Sequence, residues 1–285
     1  SGADIALWDI AGKVANLPLY QLIGGAHRKQ IPVYGYGMML RPEPLENLTA
    51  RFKKEARAIK DMGFDATKIK VGLGPRAAIK LAEALRSGIG DDFRFMVDAN
   101  HCYTTSDAFT VGRALEDLGA YWFEEPIAPE DLQGYRELRA GLNVNISGGE
   151  AEFNRWGWRG LLESRGLDIA QPEVCALGGI SEYLRVLALC HAHFTPVVNH
   201  VWGSAIAVAT NMHLLASMPD LPGGMNPWEP MLEFDTTDNK FRDELLETPL
   251  EIQAQVAQTN GYIALPEGPG LGITPDRDFL QYFAL

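Results

Sequence analysis

Three acidic residues stand at the ends of hydrophobic runs and recur at a constant spacing. The runs are FRFMVDAN with Asp98, AYWFEEP with Glu124 and NVNISGGE with Glu150, so each acid lies 26 residues after the one before it. One strand–helix repeat of an α/β barrel has about this length, and parallel strands would carry all three carboxylates to the same end of the sheet. Converging carboxylates repel each other unless a hard divalent cation lies between them, and ligation by oxygen alone favours Mg²⁺. The spacing therefore predicts a magnesium site.

Two lysines in the run FDATKIKVG could supply a base to the same site. Lys68 and Lys70 are two residues apart, so a strand would direct both side chains to one face. If that face is the barrel interior, two neighbouring ammonium groups would lower each other's pKa, which suits a general base near neutral pH. The alternative is a solvated lysine pair at the edge of a sheet.

Further candidates lie near the ends of later strands. His200 ends the run FTPVVNH and Glu173 lies in LDIAQPEV, and adjacent strands would bring the two within hydrogen-bonding reach. The carboxylate would then orient the ring and raise its basicity. Glu229, in the segment 226–230, is a candidate acid or hydrogen-bond donor to a substrate oxygen, and Trp202 is a candidate wall of the pocket.

Composition restricts the classes of protein to which the chain can belong. The formal net charge of −12 over 285 residues argues against nucleic acid or an acidic membrane as a partner, because phosphate groups would be repelled. No apolar run approaches the length that spans a membrane. The three cysteines lack metal-ligand spacing, and so sparse a set is typical of a reducing cytoplasm. We therefore expect a cytoplasmic protein that binds neither nucleic acid nor membrane.

Strand patterns and helix patterns alternate along most of the chain. The predicted strands are 31–37, 64–72, the three runs that carry the acids, 167–174, 194–200 and a short segment within 226–230. Eight strands separated by helices predict a closed parallel barrel of the TIM type. We divide the chain into an entry helix and linker (1–30), the barrel (31–247) and a C-terminal segment (248–285) that packs outside the barrel or completes a capping region.

Together, the motifs KIK, VDANH, FEEP, SGGE, QPEVCALGGI and NHVWG resemble the enolase superfamily, in its mandelate racemase branch. The resemblance covers essentially the whole chain and implies a (β/α)7β barrel. Enzymes of this superfamily use a Lys or His base, with Mg²⁺ stabilising an enediolate. For this chain the resemblance implies Asp98, Glu124 and Glu150 as Mg²⁺ ligands, Lys70 as the base on one face of the substrate, His200 with Glu173 on the other, Lys68 and Asn100 near the substrate carboxylate, and Glu229 near the enediolate.

Longer segments are similar to those of acid-sugar enzymes in that branch: NHVWGSAIAVA, NPWEPMLEFDTTDNKFRDELLETPLE and PEGPGLGI. This similarity implies a sugar acid or its lactone as substrate, removal of the proton α to a carboxylate, and loss of a β oxygen. Dehydration and epimerisation are alternative outcomes. Two features depart from the family. Glu173 stands where Asp is usual, and the N-terminal α+β capping domain is absent, so we expect Ser1 to follow a domain upstream.

Two other classes of protein are compatible with a barrel. A barrel that isomerises or cleaves sugar phosphates would need a phosphate-binding loop near its last strands, and LGGI at 177–180 is the glycine pair that could serve. A barrel that binds metal but lacks a competent site is the second alternative. Barrels of the mandelate racemase branch often associate, so we also expect a homo-oligomer.

Overall fold

The fold is seen in a computed structural model that describes residues 1–221 and 228–283. Strands follow the predicted rhythm over most of this range. They are β1 Gln30–Tyr36, β2 Ala66–Lys70, β3 Arg94–Asp98, β4 Trp122–Glu124, β5 Asn145–Gly148, β6 Ile169–Ala170, β7 Leu232–Asp235 and β8 Tyr262–Ala264.

Helices cover the outside of the sheet. They are α1 Gly2–Ala15, α2 Leu19–Leu22, α3 Leu45–Asp61, α4 Pro75–Ile89, α5 Thr105–Asp117, α6 Leu132–Gly141, α7 Asn154–Ser164, α8 Ile180–Ala192, α9 Ala205–Ser217, α10 Lys240–Asp243, α11 Ile252–Thr259 and α12 Arg277–Phe283. The helix α4 illustrates why they form. Its buried residues Ala78, Leu81, Leu85 and Ile89 recur every three or four positions, so one face of the helix packs on the sheet.

The sheet is parallel from β1 to β7, with strand order β6-β5-β4-β3-β2-β1-β7. Beyond β6, Val197 forms an isolated parallel bridge with Ala170. The indole of Trp228, just before β7, donates to the carbonyl of Val197 at 3.1 Å. The segment around Val197 therefore lies between β6 and β7 and completes the ring, as the predicted α/β barrel requires.

A layer of apolar side chains fills the interior of the barrel. It draws on seven segments of the ring and consists of Tyr34, Ala66, Met96, Trp122, Ile169, Val198 and Met231. Side chains two residues apart on a strand point to the same face, so the residues two positions later form the next interior layer. Those residues are Tyr36, Lys68, Asp98, Glu124, Gln171, His200 and Glu233. Along most of these segments, the interior side chain therefore changes from an apolar one to a polar or ionisable one within two residues.

Two strand predictions need correction. The seventh predicted strand, 194–200, is reduced to the single bridge at Val197, since Pro196 has no backbone N–H to donate to a ladder. The eighth predicted strand lies too early. Part of it, 226–227, falls outside the described residues, residues 228–230 are not in a strand, and the strand is β7, at 232–235.

The C-terminal segment returns along the outside of the barrel. Its strand β8 pairs antiparallel with the first residues of β1, where Gln30 faces Ala264. Further on, the backbone N–H of Leu271 donates to Asp9 in α1 at 2.8 Å. The segment therefore joins the N-terminal helix to the end of the barrel opposite the carboxyl ends of the strands. Within the described part of the chain, no helix is both long and apolar enough to cross a membrane.

Candidate active site

The three acids predicted from their spacing lie together at the carboxyl ends of the strands. Asp98 and Glu124 are directly paired in the register of β3 and β4. Glu150 follows β5 through a turn at Gly149, whose φ of +117° and contact with the ring of Trp158 admit only glycine. Each acid offers one oxygen, and these oxygens lie within 4.8 Å of one another.

The electrostatics of this acid triad (Asp98, Glu124 and Glu150) favour a bound cation. Burial and the charge of Glu124 raise the pKa of Asp98. Burial also raises the pKa of Glu150, although His200 opposes the shift. The charged forms of Asp98 and Glu150 are therefore unfavourable unless further positive charge is brought near them. For Glu124, by contrast, burial is outweighed by Lys68 and Lys70, which already lower its pKa to about 2. An all-oxygen set of this kind fits Mg²⁺.

Neighbouring side chains hold Glu124 in place. Its Oε2 accepts hydrogen bonds from Trp122 Nε1 at 2.9 Å and from Gln171 Nε2 at 2.8 Å, and its Oε1 accepts from Lys68 Nζ at 2.5 Å. Because Trp122 and Gln171 belong to β4 and to the end of β6, the carboxylate is fixed from two sides. Neither residue was among the sequence-based candidates.

Lys68 lies beneath the pocket instead of in it. Its side chain is 1% exposed, and its ammonium also contacts Glu233 at 2.6 Å and Asp98 at 3.7 Å. Burial alone would lower the pKa of Lys68, but the surrounding carboxylates outweigh burial and raise the pKa well above its usual value. The expectation that the lysine pair would have lowered pKa values is therefore wrong in this structure. Lys68 is not among the residues that line the pocket, and its role near a substrate carboxylate stays a prediction.

Lys70 reaches the pocket from the end of β2. Its ammonium pairs with Oδ2 of Asp98, and its side chain keeps 16% of its surface exposed. Burial and the neighbouring Lys68 lower its pKa, but Asp98 and Glu124 more than compensate, so the net shift is upward. Lys70 is therefore the accessible member of the lysine pair.

His200 and Glu173 meet as the order of strands suggested. Nδ1 of His200 lies 2.8 Å from Oε2 of Glu173, and Nε2 lies 3.0 Å from Oε2 of Glu150. Burial would lower the pKa of His200, but the charges of Glu233 and Glu150 and the bond to Glu173 raise it to about 9. The longer arm of Glu173, compared with Asp, still reaches the ring.

Glu233 occupies the interior position that we had expected for Glu229. Glu233 is 1% exposed, pairs with Lys68, and accepts a hydrogen bond from the backbone N–H of Val201 at 2.8 Å. Glu229 is exposed, and its nearest polar partner is the hydroxyl of Tyr262 in β8, at the opposite end of the barrel. The alternation in MLEFD, with Leu232 and Phe234 on one side and Glu233 on the other, was the sequence signal for the acid that points to the barrel interior.

A pocket of about 410 Å³ opens above these groups. Its residues include Lys70, Asn100, Glu150, His200 and Trp202, together with Tyr36, Met39, Leu40, Gly72 and Cys102. Lys70 and His200 thus lie on opposite sides of the pocket, with the acid triad between them. Trp202, 62% exposed, lies at the rim, as expected for a wall of the pocket.

The glycine pair at 177–180 does not serve as a phosphate-binding loop. At the start of α8, the N–H of Gly178 donates to the hydroxyl of Ser1 at 3.0 Å, and the N–H of Ser181 donates to Asp4 at 3.0 Å. The chain's own N-terminal helix therefore occupies the donors that a phosphate would need.

The parallel barrel and the acid triad indicate the class of protein to which the chain belongs. Residues 51–279 match the family described as enolase C-terminal domain-like, and residues 1–24 match the N-terminal domain of mandelate racemase and muconate lactonizing enzyme. The chain belongs to the enolase superfamily, in the branch of mandelate racemase and muconate lactonizing enzyme. Members of this superfamily typically use Mg²⁺.

Several similar proteins are named as enzymes that act on sugar acids or their lactones. The chain is 39% identical to D-galactarolactone cycloisomerase of Agrobacterium fabrum over 285 residues, which cover 100% of this chain and 73% of the relative. It is 34% identical to arabinonate dehydratase of Saccharolobus solfataricus, with coverage of 99% and 71%. The crystal structure of 3,6-anhydro-D-galactonate cycloisomerase from Zobellia galactanivorans superposes with a TM-score of 0.85 at 38% identity, and covers 99% of this chain and 74% of that one.

Proposed function

We propose that the chain is an Mg²⁺-dependent enzyme that removes the proton α to the carboxylate of a sugar acid or its lactone and then eliminates a β oxygen. The observation that carries this proposal is the placement of Lys70 and His200 on opposite sides of the acid triad. Lys70 contacts Asp98, and His200 contacts Glu150. A substrate carboxylate held at the triad would present its α carbon between two proton-transfer groups.

One of the two side chains, Lys70 or His200, acts as the base and the other acts as the acid. In its neutral form, the base on the face of the departing proton, Lys70 or His200, takes that proton at Nζ or Nε2. The C–H electron pair then forms a carbon–carbon double bond as the β carbon–oxygen bond breaks. Because the α carbon of a sugar acid carries a hydroxyl, the product is an enol, which becomes the keto acid when its hydroxyl proton is lost to solvent and a solvent proton adds to the former β carbon. The group on the other side, in its protonated form, gives its proton to the departing oxygen when that oxygen needs one. Glu173 keeps the second proton of His200 at Nδ1 and so directs Nε2 toward the substrate.

The acid triad would hold Mg²⁺ through one oxygen each of Asp98, Glu124 and Glu150. When bound, Mg²⁺ supplies positive charge that stabilises the negative charge developing on the substrate and offsets the carboxylates that raise the pKa values of Lys70 and His200. Trp122 and Gln171 orient Glu124, and Lys68 balances its charge from below.

The relatives support a particular order of candidate reactions. Identity over the whole chain favours a cycloisomerase reaction of the galactarolactone type, in which the eliminated β oxygen belongs to the lactone. The similarity to arabinonate dehydratase favours dehydration of an aldonic or aldaric acid as the second candidate. Both reactions share the first proton transfer and differ in the group that departs. Return of the proton on the opposite face, without elimination, would give epimerisation.

Turnover of a defined set of acids tests the proposal. The chain would be incubated with Mg²⁺ and D-galactarolactones, hexarates and aldonic acids, and the products would be followed by NMR. We expect an isomeric keto acid from a lactone, without loss of water from the molecular mass. A product lighter by one water would identify a dehydratase. Absence of any product from all three groups, with Mg²⁺ bound, would indicate a metal-binding barrel that does not catalyse this chemistry.

A further inference from the structure

A second histidine–glutamate pair, with a buried glutamate and a partly exposed histidine, lies beside the acid triad and has no part in the mechanism above. Glu125, the residue after Glu124, is 1% exposed, and its Oε2 forms an ion pair with Nε2 of His101. Apart from this ion pair, neither oxygen of the Glu125 carboxylate nor Nε2 of His101 has a hydrogen-bond partner among the residues that the structure describes. His101 is not among the residues that line the pocket. The pair therefore lies close to the triad and outside the set of residues that line the pocket.

The backbone around this pair links the three strands that carry the acids. The N–H of His101, after β3, donates to the carbonyl of Glu125 at 2.8 Å, and the N–H of Glu125 donates to the carbonyl of Ser147 in β5 at 2.9 Å. The side chain of Glu125 also passes Gly148, where an added Cβ would lie 3.5 Å from its Cγ. Gly148 immediately precedes the turn that presents Glu150.

The backbone conformation at the pair is unusual. Asn100, His101 and Glu125 have φ values of +43°, +64° and +41°, a region that residues other than glycine seldom adopt. Such conformations persist where surrounding contacts enforce them, and they cluster at functional sites. An ion pair with a buried carboxylate also contributes little net stability, because desolvation of the carboxylate opposes the attraction of the charges. A contribution to folding stability therefore does little to explain why His101 and Glu125 are paired here.

We propose that His101 and Glu125 form a positioning pair that fixes the spacing of Asp98, Glu124 and Glu150 and thereby sets the affinity of the triad for a divalent cation. The pair joins the segment after β3 to the segment after β4, and Glu125 packs against the segment before Glu150. Residues that support metal ligands from outside the coordination shell commonly affect metal affinity in this way. This inference rests on the proposed metal site.

The experiment is a calorimetric titration of the chain with Mg²⁺ alone. The variants are His101→Gln, Glu125→Gln and the double variant, with His193→Gln, on the exposed surface near the opposite end of the barrel, as the matched control. We expect each single variant to bind Mg²⁺ about 10–100-fold more weakly. Because the two residues act as one unit, the loss of Mg²⁺ affinity in the double variant should be no greater than the larger of the two losses in the single variants. The neutral double variant also leaves no buried charge unpaired, which protects its folding.

Thermal unfolding in EDTA separates positioning from a purely structural role. We expect Glu125→Gln to keep its unfolding midpoint while its Mg²⁺ affinity falls. Affinities within about twofold of wild type in all three variants, or losses that multiply in the double variant, would overturn the inference and leave the proposed function intact. A lower midpoint with unchanged affinity would also overturn it. Failure of the wild-type chain to bind Mg²⁺ would overturn the metal site itself and this inference with it.

Discussion

Nδ1 of His200 and Oε2 of Glu173 lie 2.8 Å apart in the interior of the barrel. The contact fixes the orientation of the imidazole ring, so that Nε2 faces Glu150 at 3.0 Å. A histidine held in this way has one nitrogen committed to its carboxylate and one free to exchange a proton with a substrate. The pair therefore defines one side of the pocket as a site of proton transfer.

Replacing Glu173 by Gln should impair catalysis more than folding. The amide cannot stabilise the charged ring, and it can equally well donate to Nδ1 and enforce the wrong tautomer. We expect kcat to fall about 10²-fold, measured by NMR with the best substrate of the panel. Glu163→Gln, an exposed carboxylate on α7, is the matched control and should keep its activity. Equal activities of the two variants would contradict a functional role for the pair.

Glu233 and Glu229 provide a paired test of the corrected eighth strand. Glu233→Gln removes a buried partner of Lys68 and should destabilise the protein by about 3 kcal/mol, since it removes charge from a buried ion network. Glu229→Gln alters an exposed side chain and should change neither the free energy of unfolding nor turnover. Denaturant unfolding and kcat would be measured for both variants. A larger effect at Glu229 would place the acid of the eighth strand where we first expected it.

Mg²⁺ should stabilise the folded chain by binding at the triad. At a concentration of 100 times its Kd, a ligand specific for the folded state adds about 2.7 kcal/mol to the free energy of unfolding, which raises the unfolding temperature. We expect this increase in the wild type and its loss in Asp98→Asn. Differential scanning calorimetry with Mg²⁺ and with EDTA would measure it. An equal increase in both proteins would place the bound cation elsewhere.

His213 should make folding stability depend on pH. It is fully buried in α9, its Nδ1 accepts a hydrogen bond from the N–H of Tyr20 at 3.2 Å, and burial lowers its pKa to about 4 from 6.5. Below pH 6.5 the unfolded chain takes up this proton and the folded chain does not. Stability is therefore complete above pH 6.5 and decreases by about 3 kcal/mol as the pH falls to 4.

Urea unfolding between pH 7.5 and 4.5 would measure the effect of His213, with His213→Gln as the comparison. The glutamine does not titrate, so the decrease over this range should be smaller in the variant. If the wild type and the variant lose stability in parallel, the titration of His213 is not responsible.

Periodicity carried much of the information about the site. The repeat of 26 residues placed Asp98, Glu124 and Glu150 on successive parallel strands, and the structure brings them within reach of one ion. The alternation of strand residues predicted that Lys68 and Lys70 share a face. These features are local or repetitive, so they can be read from the sequence without knowledge of packing.

Features that depend on packing could not be predicted in the same way. The pKa of Lys68 is raised because Glu124 and Glu233 converge on it, and Glu233 comes from a strand 165 residues further along the chain. The motif NPWEP directed attention to Glu229, although the alternation in MLEFD, the five residues that follow directly, marks the strand. The His101–Glu125 pair gives no periodic signal at all.

Exchange of the α proton with solvent tests the central claim most directly. The chain would be incubated in D₂O with Mg²⁺ and the panel of acids and lactones. Deuterium at the α carbon of recovered substrate, and at the former β carbon of the keto-acid product, would be followed by NMR in the wild type, Asp98→Asn, Lys70→Gln and His200→Gln. We predict exchange or deuterated product in the wild type, none in Asp98→Asn, and loss in only one of the two base variants for a substrate of given stereochemistry. Exchange that persists in Asp98→Asn, or that is unaffected by both base variants, would contradict the proposed proton transfer.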